Sequence, residues 1–226
     1  MTDFNLNMHT ARLLMQEPFF ASLSRRIDKT PTTSIPTAGV CINPERQQFE
    51  MLYNPEFFAK LSDEHKLGVL MHEFYHIIFE HITKRKPDTG LRRIDNIAMD
   101  LAINGLPELQ GKLPCEKDPG PMMPSGEYLK GCLPGEGPFE DLPAGKTYEW
   151  YLQELERMQE EHQQEQGEQG QGGESQDGEG GEGGSSDPFG GADSLDDHDQ
   201  FGEVDGTSEE IAKERLKEAV KKAAED

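Results

Sequence analysis

The stretch LMHEFYHIIFEHI, residues 70–82, places His72 and His76 four positions apart with Glu73 directly after the first, inside an otherwise largely apolar run. Such a run reads as a buried helix, where a polar side chain costs free energy unless it is paired or bound to a cation. Each helical residue turns the chain by about 100°, so the two histidines lie about 40° apart on neighbouring turns and Glu73 projects from the side of the same face. This is the HExxH spacing. Two imidazoles can reach one Zn²⁺, while the carboxylate stands beside the open coordination position and can take a proton from water. The plainer alternative is a core helix whose histidines make ordinary hydrogen bonds.

A catalytic zinc usually has three protein ligands and a water, so the third ligand decides the reading. His81 lies nine positions after His72, about 180° round a continuous helix, and is expected to be structural or to support a ligand rather than be one. A better source is the stripe Asn96, Asp100 and Asn104, which recurs every four positions among Ile97, Ala98, Met99, Leu101, Ala102 and Ile103. Asp100 follows His76 by 100 − 76 = 24 positions, enough to end one helix, turn, and present a carboxylate from the next. The expected metal ligands are therefore His72, His76 and Asp100, with Glu73 as the catalytic base. Two competitors stand beside this: Asp95 as the ligand, although it points about 140° away from Asp100, and a buried ion pair of Asp100 with Arg85, Arg92 or Arg93.

Outward from this motif, DFNLNMHTARLLMQ has helical spacing, and FASLSRRI, TAGVCIN and QFEMLYN look like short strands divided by Asn43-Pro44 and Asn54-Pro55. A small antiparallel sheet is expected. Ser62 followed by Asp63 and Glu64 predicts an N-cap, and a helix from there to about Thr83. RRIDNIAMDLAING predicts a second helix ending at Gly105, and residues 106–145, rich in Pro and Gly, predict loop. TYEWYLQELERMQEE starts another amphipathic helix, which gives way to an acidic Gln/Glu/Gly tract over residues 159–187, expected to be disordered because it offers no apolar face to bury. TSEEIAKERLKEAVKKAAED opens with a Thr207/Glu210 capping box and stops at Asp226 uncapped, which suggests a longer native chain. The expected division is a folded domain over 1–158, the acidic insert over 159–187, and an anchor segment with an amphipathic helix over 188–226.

With 22 Lys and Arg against 44 Asp and Glu, the formal charge is −22, concentrated in the tail. That argues against a nucleic-acid surface, which needs clustered cations. No stretch has the length of a membrane span and the N-terminus does not read as a secretory leader. Three cysteines without CxxC spacing fit a reducing compartment, so a cytoplasmic location is expected.

The segments TAGVCIN, FEMLYNPEFFAKLSDEHKLGVLMHEFYHIIFEH, IDNIAMDLAIN, YEWYL and DDHDQF together resemble the metallopeptidase-like domain of bacterial and phage proteins that often carry a C-terminal von Willebrand factor A-like domain. The shared pattern is a YNP turn at Tyr53-Asn54-Pro55, HExxH at His72 to His76, the further His81, and Asp100 with Asn104. The resemblance spans about Ala38 to Phe201 apart from the acidic insert. It implies an α+β, zincin-like (minimal gluzincin-like) fold with a small antiparallel sheet, an active-site helix and a following ligand helix. It also implies a Zn²⁺-dependent peptidase acting on peptide or protein substrates through a zinc-bound water, with Glu73 as general base. Tyr75, Tyr128 and His198 are candidate donors to the oxyanion. The rival readings are an inactive zincin-like binding module, and an adaptor that recruits a protein partner through the acidic tail and C-terminal helix.

Overall fold

The structure, a computed structural model, describes residues 6, 9, 16–87, 92–123, 125–169, 188–189 and 206–225. The helix expected over residues 3–16 lies outside these apart from Leu6, His9 and Gln16, as do most of the acidic insert and the His198 region. Among the described residues the architecture is α+β, with one three-stranded sheet in the order β1-β3-β2. The strands are β1 (Asp28–Pro31), β2 (Ala38–Asn43) and β3 (Gln48–Tyr53). Preceding them is α1 (Pro18–Ser24), a helix where FASLSRRI was expected to be a strand. Pro18 in its first turn presets a helical φ and has no N–H to leave unsatisfied, and Phe20, Ala21, Leu23 and Ser24 are buried.

The sheet is mixed rather than antiparallel. β2 and β3 pair antiparallel as a hairpin, while β1 pairs parallel with β3. Residues 32–37 cross the end of β3, where the Asn54 N–H donates to the Thr37 carbonyl and the Asn54 side chain to the Ile35 carbonyl. This crossing reverses the chain, so β1 and β2 run oppositely on either side of β3, and the strand between them must be parallel to one. Asn54 also caps the next helix, α2 (Pro55–Lys60), accepting from the Glu56 N–H at 2.9 Å. The YNP turn is thus the last strand residue, a cap and a first-turn proline.

Ser62 caps α3 (Asp63–Ile78) by accepting from the His65 N–H at 3.1 Å, as its sequence predicts. The helix ends at Ile78, short of Thr83. Glu80 takes φ 60°, the Glu80 N–H bonds the Ile77 carbonyl, and the His81 N–H bonds the His76 carbonyl. This is a Schellman ending, with Glu80 in the left-handed position usually given to glycine. Next, α4 (Arg93–Asn104) ends at Gly105, and the described residues among 106–147 form a long connection with two single 3₁₀ turns. After it, α5 (Tyr148–Gln169) continues beyond residue 158. Finally, α6 (Gly206–Glu225) buries Ala212, Ala219 and Ala223 and lies against α1 and the sheet.

Among the described residues two apolar cores result. One joins the sheet, α1, α2, α3 and α6, and includes Val40, Met51, Phe58, Leu70 and Phe74. The other joins α4, α5 and the connection, and includes Ile97, Leu101, Phe139, Tyr151 and Phe189. The polar faces of α3 and α4 meet where the two cores adjoin. No helix among the described residues is long and apolar enough to cross a membrane.

Candidate metal centre

His72 and His76 come from α3 and Asp100 from α4, and all three side chains are fully buried. Their potential ligand atoms converge. The two Nε2 atoms are 3.0 Å apart, and Asp100 Oδ1 lies 3.6 Å from that of His72 and 3.4 Å from that of His76. Ligands at about 2.0–2.1 Å from a tetrahedral zinc are separated from one another by roughly 3.3–3.4 Å, so the three atoms fit such an ion at their centre. Two imidazole nitrogens and one carboxylate oxygen form a donor set suited to a divalent transition ion. Among the described residues this is the one His, Cys, Asp and Glu cluster with metal-binding spacing.

The supporting contacts differ between the two histidines. His72 Nδ1 lies 2.7 Å from Asn104 Oδ1, and the Asn104 amide donates to the Cys132 carbonyl at 2.8 Å. His76 Nδ1 lies 3.1 Å from His81 Nδ1. The Schellman ending explains this second contact, because it folds the residue after the left-handed position back over the last turn of the helix. His81 therefore faces His76 instead of pointing away, and its ring lies 5.9 Å from that of Tyr148.

Glu73 is fully buried on the same helix. Asp95 is also fully buried but is committed elsewhere. It accepts from the Arg92 backbone N–H and guanidinium at 2.9–3.0 Å and from the Tyr148 hydroxyl at 3.3 Å. Burial, then Asp95, pushes the Tyr148 hydroxyl up to about 12, so it stays a proton donor at neutral pH. The arginines weighed as partners for Asp100 are engaged too: Arg92 also with Glu156, Arg85 with Glu149, and Arg93 with the Phe189 carbonyl. Of the candidate oxyanion donors, Tyr75 packs edge-on against Phe20, and burial pushes its hydroxyl up to about 12. Tyr128 is exposed and forms an isolated bridge with Met122. His198 lies outside the described residues.

What the sequence reading missed is the pairing of Asn104 with His72. The every-fourth-residue stripe carried the signal, since a residue one turn beyond Asp100 faces the preceding turn of an antiparallel helix.

Comparison with known proteins agrees with this geometry. A family model described as "Putative metallopeptidase domain" matches residues 4–226, and the chain belongs to that family. A Thermotoga maritima protein, described only as an uncharacterized protein, is 40% identical over 60 residues, which is 26% of this chain and 15% of the relative's length. No solved structure matches the chain. The buried His/His/Asp group, which could hold a metal ion, is in keeping with that family's description.

Proposed function

We propose that the chain is a zincin-like, zinc-dependent peptidase in which His72 Nε2, His76 Nε2 and Asp100 Oδ1 hold the ion. The convergence of these three atoms within 3.6 Å of one another carries the reading. When bound, zinc supplies a Lewis acid for the scissile carbonyl and lowers the pKa of water to ~7. Glu73, next to the first ligand in sequence and inside the same dry region, accepts the proton from water on its carboxylate as the new C–O bond forms. It then delivers that proton to the amine nitrogen as the C–N bond breaks.

Glu73→Gln keeps the side-chain shape but cannot accept the proton. It should retain zinc, measured by elemental analysis, and lose ~10²–10⁴-fold in rate on unfolded casein. Equal cleavage by wild type and Glu73→Gln sinks the reading. One observation favours a second reading, the inactive binding module: His72, Glu73, His76 and Asp100 are all 0% exposed, so no peptide reaches them in this conformation. If both proteins hold zinc and neither cleaves, the module reading replaces the peptidase.

A further inference from the structure

The two histidines are supported by different chemistry, and this makes them unequal as ligands. A backbone carbonyl can only accept a hydrogen bond. The Asn104 atom 2.8 Å from the Cys132 carbonyl must therefore be the amide nitrogen, and the atom 2.7 Å from His72 Nδ1 must be the oxygen. That oxygen can only accept in turn, so His72 Nδ1 carries hydrogen and its Nε2 keeps the lone pair that a metal needs. His76 has a different neighbour, its Nδ1 lying 3.1 Å from His81 Nδ1.

From this geometry we infer that Asn104, oriented by the Cys132 carbonyl, is a positioning residue that presets His72 as a metal ligand before any ion arrives. The inference rests on the proposed metal site. His72 is expected to be the same tautomer with and without the ion. Asn104 is nearly fully buried on α4, and Cys132 belongs to the long connection. Through Asn104, the metal face of α3 is tied to a segment that supplies no ligand.

The test uses the full chain with ¹⁵N-labelled histidine, stripped with chelator and then loaded with Zn²⁺. Long-range ¹⁵N–¹H correlation reads the tautomer of each ring directly, and competition with a chromophoric chelator reads zinc affinity. Wild type should show His72 as the Nδ1–H tautomer in both states. Asn104→Ala should lose the fixed His72 tautomer in the stripped protein and bind zinc ~10–100-fold more weakly. Asn104→Asp restores the acceptor, so it should recover both the tautomer and most of the affinity. It cannot donate to Cys132, so hydrogen exchange should quicken in peptides spanning 129–134. Should Asn104→Ala unfold, the stripped wild type and Asn104→Asp still decide the matter. An Nε2–H tautomer for His72 in stripped wild type overturns the inference, as does an Asn104→Asp protein lacking the Nδ1–H tautomer. Zinc affinity unchanged in a folded Asn104→Ala also overturns it while leaving the metal site standing. A wild type that binds no zinc overturns the metal site itself.

Discussion

The first turn of α4 and its middle each bury an aspartate completely, yet the two carboxylates have opposite surroundings. Asp95 has an arginine fork, a backbone N–H and a phenol around it. Its charge is matched by fixed donors, and it closes the helix N-terminus, where the macrodipole also favours a negative group. Asp100, five residues on, faces two imidazole nitrogens at 3.4 and 3.6 Å, beyond good hydrogen-bond length and suited to an ion between them. Burial alone would have ranked these residues equally. The identity and distance of their neighbours separate a structural carboxylate from a candidate ligand.

The strongest attempt to break this contrast is to exchange each for alanine and measure metal. Asp100→Ala should lose zinc, whereas Asp95→Ala should keep it. Zinc at ~100 times its Kd should stabilise the wild type by about 2.7 kcal/mol, visible as a raised melting temperature that chelator removes. The Asp100→Ala protein should show no such rise. Full zinc occupancy in Asp100→Ala, with loss in Asp95→Ala, would reverse the assignment of the two carboxylates.

Asp95→Ala should act on stability instead. It strips a buried phenol of its acceptor and removes a helix cap, together about 2 kcal/mol. The Arg92 partner is 54% exposed and returns to water, so little of the expected loss is assigned to the ion pair. A chemical denaturation midpoint unchanged from wild type would show that Asp95 is as dispensable as a surface residue.

Much of this contrast was legible in the chain, and the illegible part has a physical cause. HExxH and the stripe Asn96, Asp100, Asn104 rest on helical periodicity, which survives in any stable helix and so carries its geometry with it. Ser62 announces a cap because its side chain accepts an N–H group that a helix start leaves unpaired, whereas Asn54, read only as a strand breaker, proves to be a cap as well. His81 was placed on the far side because the helix was expected to reach Thr83. The stop at Ile78 depends on Glu80 adopting a positive φ, and without a glycine the sequence carries no local mark of it. The parallel pairing of β1 likewise depends on residues 32–37 crossing the end of β3, a tertiary arrangement that alternation within a strand does not encode. For α1, the burial of Phe20 and Leu23 outweighed a pattern that reads equally well as strand.

Gly68 sharpens the contrast from the opposite helix. It lies one turn before His72, and a Cβ there would clash with the Lys112 backbone carbonyl. Helix propensity alone would make Gly68→Ala stabilising by about 1 kcal/mol. The contact predicts the opposite sign, a loss of about 1–3 kcal/mol, because backbone rather than a flexible side-chain tip must yield. The displacement acts beside α3 close to the metal face, so zinc affinity should fall as well, unlike in Asp95→Ala. Stabilisation of Gly68→Ala in thermal melts would show that the connection is not packed against α3 in solution.

The smallest effect is expected where the chemistry of Asp95 is repeated in water. Arg157 on α5 reaches Glu154 at 2.8 Å and Glu161 at 2.6 Å, distances as short as those between Arg92 and Asp95. All three of its groups are at least partly solvated, so each gives up hydration to form the pair and loses side-chain freedom in holding it. Proton affinity moves in the direction of pairing: hydrogen bonds to Glu154 and then Glu161 push the guanidinium up from its ordinary value. That shift has no consequence at neutral pH, where the arginine is charged in the folded and unfolded chain alike. Arg157→Ala should therefore leave melting temperature, zinc content and the chelator-dependent shift indistinguishable from wild type in ordinary salt. A marked drop in melting temperature would mean that a solvated arginine–carboxylate pair at these distances contributes measurably here, and the small share assigned to the ion pair of Arg92 with Asp95 would have to be raised.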